Sequence, residues 1–322
     1  MKALRLTVLI TALCLCLALP AGAAEKFPTK PITLLVNFAG GGGTDTSARI
    51  LAKNAEKYLG GTPITVINKP GGQGTTSNIE LRNKKADGYT IGVGTWGALT
   101  ILPHLLDVGY TPEDFDFILG YGEYLYAVGV RADSPIKTVE DIKKIAAEKG
   151  GELSYAASGY PHPITMHKLS TLTGVKLNHV SVKSSPEAFT QILGGHVDLL
   201  SIVLGDVLPL VKSGEIRLLG TCSPERLPMT PDTPTFREQG YDIVTISRSV
   251  LFAPKGVPAE RMNVLREAFK KAYNEPEFQD VMKRINMPAL YTDGDVAKKE
   301  FVDAWKTTGQ ELKEMGMGMG KK

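Results

Sequence analysis

Short β-branched runs alternate with amphipathic segments along two thirds of the chain, and then the strands stop. Ile32–Phe38, Ile64–Lys69 and Thr90–Thr95 read as strands, with helices over Thr46–Leu59 and Thr75–Lys84 between them. The rhythm resumes in Tyr126–Arg131, Leu153–Ser158, Leu177–Val182, Leu199–Leu204 and Ile216–Ser223. Val139–Glu148, Thr165–Thr173, Pro186–Leu193 and Val207–Lys212 are the helices between those strands. Near-continuous apolar strands alternating with helices predict mainly parallel sheets covered on both faces. After a last strand over Ile243–Pro254 only helices follow: Pro258–Tyr273, Glu277–Ile285 and Val296–Glu314. Helices without strands of their own must pack on a sheet already built. The reading is therefore two α/β lobes, with 25–125 and 246–322 forming one and 126–245 inserted as the other. Crossings near Gly122–Ala127 and Thr245–Phe252 would be the hinge.

The first residues argue for export. Lys2 and Arg5 precede an apolar stretch, Leu6–Leu19, which ends in Pro20 and the small run Ala21-Gly22-Ala23-Ala24. That is the layout of a cleaved signal peptide over 1–23, and the apolar core is short for a membrane span. Cleavage would leave 322 − 23 = 299 residues with 37 − 2 = 35 basic and 34 acidic side chains, a net charge of about +1. A nearly neutral chain lacks the clustered positive charge of a nucleic-acid groove. Cys14 and Cys16 would leave with the leader, so Cys222 has no partner for a disulfide and is expected as a small buried hydrophobe. The periplasm is the expected location.

Chemistry gathers at strand ends. Val36-Asn37-Phe38-Ala39-Gly40-Gly41-Gly42-Gly43-Thr44-Asp45 closes a strand and opens a helix. Glycines let the backbone approach a ligand, and the helix start adds free N–H groups and a positive dipole end. A carboxylate is the natural guest, with Asp45 or Thr44 as the helix cap; a turn without a ligand is the plain alternative. The lysine of the NTPase phosphate loop is missing, and the dinucleotide fingerprint fits neither from Gly40 nor from Gly41. Three further turns follow strands: Asn68–Thr75 with Gly74, then Thr95-Trp96-Gly97, then Ser158-Gly159-Tyr160. Ligands of open α/β sheets sit outside the carboxyl ends of the strands, so these turns suggest one cleft.

The motifs then become specific. Phe27-Pro28-Thr29-Lys30-Pro31-Ile32, the Phe38–Asp45 loop and Asp87-Gly88-Tyr89-Thr90 occur in order, followed by Leu172-Thr173-Gly174-Val175 and His179-Val180. Leu193-Gly194-Gly195-His196-Val197-Asp198 and Ala253-Pro254-x-Gly256-Val257-Pro258 complete the series. Together, over nearly all of residues 27–315, the chain resembles the Bug-type family, the periplasmic binding proteins of tripartite tricarboxylate transporters. The resemblance implies a type II-like two-lobe fold that closes by a hinge on an organic or aromatic carboxylate or an acidic amino acid. It also implies partners in the membrane subunits of a transporter; a monomer is expected. Carried over by motif, the ligand residues are Phe38, Ala39, Gly40, Gly42, Asp45, Gly74, Thr95, Ser158 and Gly159; Thr75 and Trp96, in the same turns, are added as candidates.

Departures from the family pattern bear on the ligand. Ser181-Val182-Lys183-Ser184 replaces a common Pro-Tyr-Lys-Gly. Arg248 stands where many relatives carry Trp, and either clamps a second carboxylate or forms a structural ion pair. Trp96 either stacks on an aromatic ligand or joins the core. His162 is expected on a solvent-facing loop. Neither nucleophile elbow nor paired metal histidines occur, and His104, His162, His167, His179 and His196 have no ligand spacing. Neither metal nor cofactor is expected, and binding without turnover is favoured. Two alternatives stay open: a periplasmic sensor feeding a histidine kinase, and an exported hydrolase or isomerase using Asp45 and His162 as acid and base.

Overall fold

The computed structural model describes residues 26–182, 184–245 and 247–317; the expected leader lies outside them. β1 (Ile32–Val36), α1 (Gly43–Glu56), β2 (Ile64–Asn68), α2 (Thr75–Arg82) and β3 (Thr90–Thr95) follow the apolar rhythm closely. β1 pairs in parallel with both β2 and β3. A π-helical turn over Gly97–Ile101 runs into the short helix α3 (Leu102–Leu105). Then comes β4 (Phe115–Tyr124), a strand absent from the expectation. Leu125 alone separates it from β5 (Tyr126–Arg131), which belongs to a different sheet.

α4 (Val139–Glu148), β6 (Glu152–Ala157), α5 (His162–Thr173), β7 (Lys176–Ser181) and α6 (Ser185–Leu193) build the second sheet outward. β8 (Leu199–Val203), α7 (Leu204–Lys212) and β9 (Ile216–Thr221) complete it in the order β7-β6-β8-β5-β9. The chain returns as β10 (Ser247–Pro254), which inserts between β3 and β4. α8 (Ala259–Tyr273), α9 (Pro276–Arg284), the two-residue β11 (Thr292–Asp293) and α10 (Gly294–Glu314) follow. The first sheet thus runs β11-β4-β10-β3-β1-β2.

Two sheets flanked by helices were expected; both sheets are mixed rather than mainly parallel. β10 lies antiparallel to β3 and β4, and β11 antiparallel to β4. β5 lies antiparallel to β8 and β9, whereas β6 is parallel to β7 and β8. Parallel pairs arise where a helix carries the chain back over its own sheet. β4, β5 and β10 instead lead the chain into or out of a sheet, so nothing holds them to that direction.

Aromatic packing ties the returning segment to the first sheet. Phe252 of β10 meets Phe115 edge-on at 4.7 Å, and Phe117 of β4 lies 5.4 Å from Phe301 of α10. All four rings are fully buried, each worth about 2–3 kcal/mol in area removed from water. Cys222, just past β9, is free and buried as expected, and burial pushes its thiol up to about 12. No described helix is long and apolar enough to cross a membrane.

Candidate ligand-binding site

The glycine loop between β1 and α1 is folded over one carboxylate. Asp45 accepts from the Gly41 N–H at 2.9 Å, from Asn68 Nδ2 at 2.8 Å, and from Arg49 Nε at 2.9 and 3.0 Å. Asn68, at the end of β2, also donates to the Phe38 carbonyl at 2.9 Å and accepts from Arg49 at 2.7 Å. Burial alone would raise the Asp45 carboxyl, but the bonds from Arg49, Gly41 and Asn68 together hold it below the ordinary carboxylate range. The expected capping role is therefore replaced by another. Gly42 is the N-cap of α1, no side chain caps the helix, and Asp45 shapes the loop from beneath. Thr44 turns elsewhere, its hydroxyl 2.5 Å from that of Tyr124.

The α1 N-terminus thus keeps its first N–H groups clear of side-chain caps, and Phe38, Ala39, Gly40 and Gly42 around it are exposed. α2, whose N-cap is Gly74, and α5, whose N-cap is Pro161, also lack a side-chain cap, but their first residues are buried. α4 follows β5, an antiparallel strand ending on the far side of its sheet, and carries a full capping box from Thr138 and Asp141. An uncapped, exposed helix start such as that of α1 leaves N–H groups that an anion can use.

Three turns of the first lobe meet around Gly74. With φ of +97° it occupies a conformation side chains rarely adopt. A methyl there would lie 2.8 Å from Asn37 Nδ2 and 3.4 Å from both Ala98 and the Phe38 ring. Asn37, fully buried, donates to Thr95 Oγ1 at 3.3 Å. Thr75 is buried, and its hydroxyl donates to the Gly72 carbonyl at 2.8 Å.

The second lobe brings its own turn to the same place. A methyl on Gly159 would stand 3.8 Å from the Gln73 side chain, and one on Gly97 only 2.7 Å from the Tyr160 carbonyl oxygen. Ser158 precedes this turn directly, at the end of β6. At the base, where the chain crosses between sheets, Tyr124 also accepts from Ser249 at 3.2 Å.

Other expected residues stand differently. Trp96 meets Phe301 edge-on at 4.8 Å and packs beside Ile101 and Leu312, which is its core alternative. Arg248 is ion-paired to Glu300 of α10 and lies opposite Glu123 in the β-ladder. Burial raises the Glu123 carboxyl, and the charge of Arg248 offsets part of that. The structural ion pair, not the second clamp, is the arrangement found. Arg248→Ala is therefore expected to lower the melting temperature by a few degrees, roughly 1 kcal/mol for a pair partly open to water. It should leave any ligand-induced shift unchanged; a lost shift would return Arg248 to the cleft.

His162 is not solvent-facing: it opens α5, is 3% exposed, and its Nδ1 lies 3.0 Å from Ser201 Oγ. Burial first, then the neighbouring His179, drives its pKa down to about 3. A neutral, bonded imidazole and a carboxylate spent on three donor groups make a poor acid–base pair. No cluster of three potential metal-binding side chains exists among the described residues. Asn37, Asn68, Arg49 and Tyr124 were not anticipated. Asn37 directly follows β1 and Asn68 ends β2, each a polar residue closing an apolar run, and that signal was available.

The sequence profile described as tripartite tricarboxylate transporter family receptor (TctC) matches residues 47–317. The chain belongs to this receptor family. A Cupriavidus necator relative, the UPF0065 protein in the gbd 5' region, is 32% identical over 305 residues, 93% of this chain and 92% of its own. A TctC solute binding protein from Polaromonas is 29% identical, with a TM-score of 0.71 over 89% of this chain and 99% of that one. Rpa4515 of R. palustris, solved with adipate, is 26% identical, with a TM-score of 0.80 over 91% and 99%. The TctC family is one of periplasmic solute-binding receptors, and the two-lobe architecture is theirs.

Proposed function

We propose that the protein is an extracytoplasmic receptor that captures a small organic carboxylate between its two lobes. It then presents the closed form to the membrane subunits of a tripartite tricarboxylate-type transporter. The lobes are 25–125 with 246–322, and 126–245, and the protein is exported through its leader as a monomer. The observation that carries this reading is the convergence of glycine turns from both lobes beside the exposed, uncapped N-terminus of α1. Helix N–H groups with a fixed dipole favour a carboxylate there. The adipate held by Rpa4515 supports a guest of this chemistry.

In this reading Phe38, Ala39, Gly40 and Gly42 form the first wall, with Gly74, Thr75 and Thr95 beside them. Ser158 and Gly159 form the facing wall, and Asp45 holds the first loop in shape. A ligand touching both walls makes contacts that only the closed arrangement offers, so it draws the open–closed equilibrium toward closed.

A thermal-shift screen of the mature protein against mono-, di- and tricarboxylates and amino acids tests it. A ligand at a hundred times its Kd should add about 2.7 kcal/mol, seen as a raised midpoint. A panel in which nothing shifts the midpoint would overturn the anion assignment and leave the fold alone standing.

A further inference from the structure

We infer that the end of the chain is an apolar strap between the two lobes, and that it holds part of the unliganded receptor closed. This rests on the receptor reading above and adds the part that sets how often the cleft is shut.

The strap begins as one stripe of α10. Phe301, Trp305 and Gly309 follow one another at intervals of four and share a helix face, which Leu312 continues. The first three meet the segment after β3. Phe301 packs on Trp96. Trp305 stacks on His104 at 5.4 Å, and its carbonyl oxygen lies 2.7 Å from His104 Nε2. A methyl on Gly309 would stand 2.5 Å from the same imidazole. The helix is thereby fixed to the first lobe.

At Leu312 the stripe reaches the other lobe. Leu312, 1% exposed, clusters with Ile101 of the π-helical turn and with Ile164 of α5. α5 flanks the second sheet, where its Met166 and Leu169 are buried. Ile164, in the first turn of α5, is itself only 9% exposed. The two lobes therefore bury apolar side chains against each other at residues that belong to neither chain crossing.

The last described residues are turned back onto this join. α10 ends at Glu314, and Gly316 takes a φ of +67°. The Met317 N–H donates to the Leu312 carbonyl at 2.7 Å, and the Gly316 N–H to the Lys313 carbonyl at 3.1 Å. This pair of bonds is a Schellman closure: a left-handed residue reverses the chain, and the residue after it packs on the last helical turn. Met317 and Met315 accordingly lie against the cluster, with Tyr160 of the second lobe. A methyl on Gly316 would have nothing within 4 Å, so the position needs glycine for its dihedral alone.

Parting the lobes would return Ile164, Leu312 and Met317 to water, so the join favours the closed arrangement before any ligand arrives. A receptor already partly closed loses less of its affinity to the conformational change.

Spin labels on Asp107→Cys and Thr171→Cys, both exposed and one in each lobe, report the separation in the unliganded mature protein, where Cys222 is buried. The parent should show a short-distance population that matches the structure. Gly316→Val strains the left-handed turn, and Met317→Ser removes the apolar contact. Each should lower the closed-to-open ratio by roughly three- to tenfold. Gly316→Asn, a residue that tolerates this φ, should stay near the parent. The inference fails if the parent lacks the short-distance population, or if Gly316→Val and Met317→Ser leave it unchanged. It fails too if Gly316→Asn opens as far as Gly316→Val. No ligand enters the measurement, so each of these failures leaves the carboxylate receptor standing, and that reading falls only by the thermal-shift screen.

Discussion

Gly97→Ala should bind ligand between about five and a hundred-and-fifty-fold more weakly than the parent while melting, unliganded, at the same temperature or slightly higher. The added methyl would lie 2.7 Å from the Tyr160 carbonyl oxygen and 3.2 Å from the Tyr160 carbonyl carbon and Cβ. The nearest of these atoms is backbone of the opposite lobe, so no rotamer change relieves the clash, and overpacking of this kind costs about 1–3 kcal/mol. The cost falls only on the arrangement in which the two turns touch. Each 1.4 kcal/mol lost there lowers apparent affinity about tenfold. Within its own lobe Gly97 sits in a helical turn with negative φ, where alanine is the better residue by roughly 0.5–1 kcal/mol. Titration calorimetry beside a melting curve separates the two effects. Unchanged affinity would mean that the Gly97–Tyr160 approach has no part in the ligand-bound form.

Asp45→Asn should cost about 2 kcal/mol of stability and most of the ligand-induced thermal shift, although it changes one atom. Both carboxylate oxygens are acceptors, one for Gly41 N–H, one for Asn68, and each for Arg49. Whichever way an amide turned, its NH2 would face a donor and leave a polar group unpaired. Arg49 is half exposed and can turn to water, which keeps the cost below that of a fully buried pair. The loop that presents backbone to the ligand would lose what folds it. The same carboxylate sets a pH signature. Its folded pKa lies below the ordinary value of about 3.9, so its contribution is complete above that pH and is lost as pH falls through the lower folded value. The parent should therefore lose stability below about pH 4 more steeply than Asp45→Asn, in urea midpoints taken across that range. Parallel acid curves would show that Asp45 carries no such load.

The rhythm of apolar runs was enough to place nine of the eleven described strands, or their near bounds, and it worked only where neighbours in sequence are also neighbours in space; the strand β4 and the two-residue β11 show the failure. Gly120 and Gly122 make β4 look like a poor strand. Yet a methyl on Gly120 would meet Thr292, and one on Gly122 would meet Met287 and Met282. Those glycines answer to partners 160 or more residues away, which no local pattern reveals. The site divides along the same line. Gly74 and the Phe38–Gly42 loop were legible as turns because their demand is on their own backbone. Arg248 stayed undecided between clamp and ion pair because Glu300, its partner, is on the last helix. His162 was misplaced as exposed because burial comes from β5 and β8, through Tyr126 and Ser201.

The insertion of β10 between β3 and β4 has a consequence for the order in which the molecule can be completed. Ser249 pairs with Thr95, 249 − 95 = 154 residues earlier, and Ser249 also pairs with Gly122. As the polypeptide emerges from its N-terminus, β3 and β4 exist for a long time without the strand that joins them. The five strands from Tyr126 to Thr221 meanwhile form a contiguous stretch and can close their own sheet. The inserted lobe is thus free to mature first, and the lobe that begins the chain finishes last. Until then it exposes two unsatisfied strand edges, the kind of surface on which chains adhere to one another. A receptor built this way depends on its final quarter to protect its beginning.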